Sequence, residues 1–280
     1  MDNLKQPSTY KEQVAQYTKK DAIYALLFAV IFMTLPILHH LLLPALLPEV
    51  WGGLIDVLML VLLVALFVLV RKKGQGLRSI GLHLTGWKKA VAVGLILMLV
   101  TQMLLEGLLP GLLSGWEFRA PFVILTAIAL SIWGAFFEDV IFIGFIQTRI
   151  YGLIKKDVLA IAAGAAIFAA VHYPIMISDA ISANGGIGMD FWGSLALATF
   201  AWMMLYITMN IIFRRFSSII PVTLFHFSWN LANGAFGGGF WENSDGGFNA
   251  IISFVIIFYL VLFVCVVWPW LKKRKAAKKA

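Results

Sequence analysis

Glu138 with Asp139, His172, and His226 with Asn230 stand in three separate apolar stretches of this chain. Ionisable and amide groups are expensive in hydrocarbon, so inside a membrane segment each marks a place to look for function. Their types form a set. A carboxylate can take a proton from water, and a nearby imidazole can orient that water or assist the transfer. An imidazole and an amide four residues apart lie on one helix face, where both can donate hydrogen bonds to a developing oxyanion. These are the parts needed to hydrolyse an amide with activated water. Plainer uses exist for each. Two acids can join helices through interhelical hydrogen bonds, and a lone histidine in a helix can be structural. His226 and Asn230 also have the spacing of two metal ligands, although asparagine is an uncommon ligand for zinc.

The local sequence refines the set. Adjacent helical residues point about 100° apart, so Glu138 and Asp139 are expected to face different neighbours, one lining a cavity and the other holding a second helix. Glu138 precedes Arg149 by a distance of about 16 Å along a helix, which places it near mid-membrane if Arg149 marks the interface. Phe168 lies one turn before His172 on the same face. Pro174 follows closely, and a backbone broken there is tolerable only beside protein or water. The depths are compatible with one polar pocket shared by all four sites.

The elements that carry these residues are set by composition. The 280 residues are 61% hydrophobic and 13% charged, with mean hydropathy +0.90, which implies an all-α, polytopic membrane helix bundle and excludes a soluble domain. About eight stretches are long and apolar enough to span, at about residues 22–46, 51–70, 89–110, 121–148, 157–176, 194–213, 217–236 and 250–271. With the N-terminus inside, the cytoplasmic segments hold every one of the 22 Lys and Arg residues except Arg119. Arg149, Arg214, Arg215 and the tail from Lys272 are among them, so both ends are expected in the cytoplasm. The outside loops carry Glu49, Glu117, Asp179, Asp190, Glu242 and Asp245.

The net charge of +8 therefore reports orientation and attraction to the lipid bilayer. Nucleic acid is not an expected partner, because the basic residues are divided among separate segments and carry no recognition motif. Cys265 is the single cysteine, so disulfides and cysteine-rich metal sites are excluded. The first 20 residues contain no short apolar core ending in a cleavage site, and no removable signal peptide is expected. Residues 1–280 read as a single transmembrane domain with polar ends at 1–20 and 272–280. Glycine-rich loops at 71–88, 184–188 and 237–239 are expected to turn. A transporter is disfavoured, since no inverted repeat or pair of broken spans is evident.

Glu138-Asp139 followed by Phe142, Gly144 and Gln147-Thr148-Arg149, then Phe168 to His172, then His226 to Asn230, resemble in order and spacing the three motifs of the CPBP (CAAX-protease and bacteriocin-processing, or Abi) family. That family includes the Ras-converting CAAX endopeptidase and many bacterial membrane proteins. The resemblance covers roughly residues 75–240. It implies an intramembrane endopeptidase, an integral multi-pass protein of a bacterial cytoplasmic membrane, acting on a peptide or membrane-protein substrate. In that reading Glu138 activates water, His172 orients the water or assists proton transfer, and His226 with Asn230 stabilises the oxyanion. Asp139 and Phe168 support them. The family has been described both as metalloprotease-like and as glutamate-dependent without metal. The residues available favour no cofactor; the alternative, zinc, would fall to Glu138, His172 and His226.

The resemblance has two departures. The family motif has two glutamates with an arginine four residues after the second, and here those positions are Asp139 and Ile143. Without that arginine, Asp139 is expected to be protonated, bonded to water, or paired with another helix. The departures also define a second function, that of a catalytically degenerate relative serving as a membrane scaffold or as an immunity-type binding protein.

Overall fold

The computed structural model describes residues 10–42, 51–102, 121–184, 187–232 and 255–277. Among these, every regular element is helical. In chain order they are α1 (Tyr10–Ala15), α2 (Lys19–Ile37), α3 (Trp51–Lys72), α4 (Trp87–Gln102), α5 (Pro121–Glu138), α6 (Gln147–Ile150), α7 (Asp157–Ala170), α8 (Tyr173–Asn184), α9 (Met189–Phe216), α10 (Ile220–Ala232) and α11 (Trp268–Ala277). Wider π-helical turns occupy Leu38–Leu42, Asp139–Ile146 and Phe263–Val267. Each of the expected apolar stretches carries a helix. Among the described residues five helices are long and apolar enough to cross a bilayer: Lys19–Leu41, Ile128–Ile150, Asp157–Ser182, Met189–Phe216 and Val255–Arg274. Glu49, Glu117, Arg119, Glu242, Asp245, the loop at 237–239 and residues 185 and 186 of the loop at 184–188 lie outside the described residues.

The chain forms two compact units, each built from two separated stretches. Two of the divisions, after Val140 and after Ile207, fall in long apolar runs. Composition has no linker signal there, which is why the sequence reads as undivided.

The first unit, Met1–Ile80 with Ile141–Ile207, is organised around Arg149. This residue counts with the flanking charges in the sequence, yet it is only 1% exposed. Its Nη1 donates to Ser79 O and Gly144 O (3.0 Å each) and to Thr148 Oγ1 (2.7 Å). Its Nη2 donates to Gln75 Oε1 (2.8 Å) and Ser79 Oγ (2.7 Å). The guanidinium lies over the Tyr17 and Phe145 rings, 4.5 and 4.7 Å from their centroids. Gln75 and Lys73 donate in turn to Asp21 (3.1 and 2.9 Å), which also closes a capping box with Thr18 at the start of α2. Arg149 thus fixes the turn Leu77–Ile80 against the end of the π-helical segment.

That segment has a local cause. Gly144 O accepts from the Thr148 hydroxyl (2.7 Å) as well as from Arg149, and side chains that engage a helix carbonyl compete with the regular backbone ladder. Gly144 is needed for a second reason, because a Cβ there would stand 2.5 Å from Ile80 O. Alanine is the better helix former by about 1 kcal/mol, but displacing a packed backbone carbonyl costs about 1–3 kcal/mol. Gly144→Ala is therefore expected to lower the thermal unfolding midpoint in detergent; an unchanged or raised midpoint would show that the close approach is not tight.

In the second unit, Gly81–Val140 with Thr208–Ala280, α10 packs on both α4 and α5. Gly94 lets α4 approach closely, since a Cβ there would meet Leu224 at 2.6 Å and Pro221 Cα at 3.0 Å. Ser228 Oγ donates to Met98 O (3.0 Å), and Ala135 and Phe227 form a core with Met98 and Ile128. The turn before α10 is held as well. Ile219 N donates to Gly81 O (3.1 Å) and His83 Nε2 donates to Ser217 O (2.6 Å). Gly81, at φ +80°, has no room for a side chain beside Phe213.

Candidate active site

His226 and Ser228 are two residues apart on α10 and so face nearly opposite directions. With Ser228 engaged on α4, His226 is turned toward α5 and the residues that follow it. There its Nδ1 lies 2.9 Å from Asp139 Oδ1, and its Nε2 lies 3.8 Å from Glu138 Oε2. One imidazole therefore stands between two carboxyl groups. The pair with Asp139 is buried, with side-chain exposures of 2% and 0%, whereas Glu138 is 20% exposed. Asn230, one turn further along α10, stands beside the same ring. Thr223, one turn earlier, stands beside the Asp139 carboxyl.

Of the three fates open to Asp139 in the sequence, the structure supplies pairing with another helix. The two acids also differ from the expectation that they face different neighbours: both reach His226, one from the core and one from a partly open position. The π-helical turn beginning at Asp139 contributes to this, because wider turns reduce the angle between successive side chains below that of an α-helix.

His172 belongs to the first unit. It sits where α7 ends and α8 begins, and Pro174 accounts for the break. Proline has no N–H for the Ala170 carbonyl, and the chain tightens so that His172 N donates to Ala169 O (3.1 Å). The His172 ring is stacked on Trp202, with centroids 4.7 Å apart, and meets the edge of Phe168 at 4.8 Å. Its Nδ1 is 2.8 Å from Phe168 O. A carbonyl only accepts, so Nδ1 carries the hydrogen, and whenever the ring is neutral its lone pair is on Nε2. Phe168 itself is fully buried, against Phe142 and Tyr206.

Glu138, Asp139, His226 and Asn230 are thus gathered within one unit, and His172 and Phe168 are gathered within the other. The sequence missed Thr223 and Trp202. Thr223 was detectable in principle, three residues before His226 on the same helix; the stacking of Trp202 on His172 had no signal in spacing. Among the described residues no group of three or more His, Cys, Asp and Glu side chains is disposed to hold a metal ion.

The apolar helices mark an integral membrane protein, and the two acids of the buried acid–histidine cluster lie on one of them, Ile128–Ile150. Residues 120–232 match the family model of Rce1-like type II CAAX prenyl endopeptidases, so over that stretch the chain is similar to a family of membrane proteases. The matched stretch contains all three motifs. No curated protein and no solved structure matches the chain.

Proposed function

We propose that this protein is an intramembrane endopeptidase of the CAAX-protease type that hydrolyses a peptide bond with glutamate-activated water and without metal. The observation that carries this reading is Glu138 held 3.8 Å from the Nε2 of a buried, carboxylate-bound His226. Glu138 takes a proton from water as the water oxygen attacks the peptide carbonyl carbon. Hydrogen bonds from His226 and Asn230 stabilise the oxyanion of the tetrahedral intermediate. The C–N bond then breaks, and Glu138 returns the proton to the departing nitrogen. His172, with a lone pair on Nε2, has the form required to orient water or assist the proton transfer.

The test is cleavage of a peptide library by the purified protein, alongside Glu138→Ala and His172→Ala, with and without a chelator. Turnover that is lost in both variants and insensitive to the chelator is expected. Equal turnover in wild type and Glu138→Ala would sink the proposal, and stoichiometric zinc lost in His172→Ala would overturn its metal-free form.

We further propose eight crossings of a bacterial cytoplasmic membrane with both ends in the cytoplasm, supported by a helix in every apolar stretch and by the distribution of Lys and Arg. Single cysteines introduced near residues 75 and 155 are expected to resist an impermeant thiol reagent in intact cells, whereas one near residue 188 is expected to react. Labelling of the first two would invert the topology.

A further inference from the structure

We propose that Asp139 is a positioning residue, which fixes the His226 ring in the orientation and donor state that put a hydrogen on Nε2. This rests on the hydrolase reading above and specifies how its oxyanion donor is made. The geometry is the starting point: Nδ1 of His226 bonds Asp139 Oδ1 at 2.9 Å, and this leaves Nε2 on the side of Glu138, 3.8 Å away.

A neutral imidazole has one N–H and one lone pair. If Asp139 is ionised and the ring neutral, the single hydrogen goes to the carboxylate. Nε2 then shows only a lone pair, which repels an oxyanion. A further proton on the pair changes this. It can be written as a carboxylate beside an imidazolium, or as a carboxylic acid donating to Nδ1 of a neutral ring. Both forms contain the same number of protons, and in both Nε2 carries a hydrogen. The pair with Asp139 therefore decides whether His226 can donate at all.

Asn230 also reaches the ring, but an amide does not titrate and so neither supplies nor withdraws the proton at issue. On α4 the titratable side chains are Lys88 and Lys89, at its first turn; α5 brings only Glu138, with Asp139 next in the chain; α10 brings only His226. Asp139 and His226 are both removed from solvent, so bulk water does not replace the partner.

Two substitutions separate positioning from mere packing. Asp139→Asn supplies an amide N–H to Nδ1 and keeps a neutral ring with its hydrogen on Nε2, whereas Asp139→Leu fills the space and leaves Nδ1 without a partner. Peptide turnover by Asp139→Asn is expected to stay within about tenfold of wild type. Asp139→Leu is expected to lose about 10²–10³ in kcat with KM changed less than about threefold, the loss typical of a missing oxyanion donor. Histidine ¹⁵N spectra, with His226 assigned by its disappearance in His226→Gln, are expected to show a hydrogen on Nε2 in wild type and in Asp139→Asn.

Wild-type turnover in Asp139→Leu, an equal loss in both variants, or a wild-type spectrum with no hydrogen on Nε2 would each overturn the proposal. The spectra require no turnover. A wild-type protein that cleaves nothing would thus count against the hydrolase reading, while the donor state of His226 is still read independently.

Discussion

Glu138→Gln is expected to reduce kcat by about 10³-fold or more while KM changes less than about threefold. Glutamine has nearly the shape of glutamate and retains an oxygen, so contacts that bind substrate without changing in the transition state survive. It cannot accept a proton from water, and the loss of a positioned general base removes about 10²–10⁴ in rate. Because the substitution changes neither the length nor the volume of the side chain appreciably, the unfolding midpoint is expected to stay close to wild type. Glu138→Asp keeps the base but draws it back by one methylene, and an intermediate rate is expected. Turnover by Glu138→Gln within tenfold of wild type would end the role proposed for this residue. The same variant separates the non-catalytic alternative, in which the pocket only holds a partner and Glu138→Gln leaves cellular function intact. That alternative drew its force from Ile143, which leaves Asp139 without the arginine of the family motif. The buried bond from His226 to Asp139 weakens it, because Asp139 has a partner on another helix.

The candidate residues stand out in the sequence because polar groups are conspicuous in apolar helices, where each needs a reason. Their pairing was not. Asp139 and His226 are 87 residues apart, and no spacing rule connects positions on different helices. The helical stretches were legible from hydropathy alone, as was the break at Pro174, since a proline removes a donor wherever it falls. The π-helical turns were hidden for the opposite reason. The run Asp139–Ile146 reads DVIFIGFI, apolar after its first residue, so it has no polar face whose period could distinguish a wider turn from an α-helix. Arg149 illustrates a further limit. Counting basic residues reports which side of a membrane a segment faces, but it does not distinguish a charge in water from one that ties three parts of the chain together.

Arg149→Met is accordingly expected to be among the most destabilising single substitutions in the chain, with a loss of about 3–5 kcal/mol. Methionine replaces the apolar stem with little change in volume, so the deficit is chiefly polar. Ser79 O and Oγ, Gln75 Oε1, Gly144 O and Thr148 Oγ1 all accept from the guanidinium, and all would remain with that donor gone. Replacing a buried charged network entirely by apolar groups can be nearly neutral, but deleting one member leaves the rest desolvated without compensation. Total stabilities are commonly about 5–15 kcal/mol, so such a loss is a large fraction of the whole. Arg149→Lys keeps the charge, yet a single ammonium cannot serve acceptors arranged around a planar fork. The expected order of unfolding midpoints in detergent is therefore wild type, then Arg149→Lys, then Arg149→Met. A midpoint for Arg149→Met equal to that of wild type would mean that water, rather than the protein, satisfies these acceptors, and that the buried arginine is not what holds the turn Leu77–Ile80 in place.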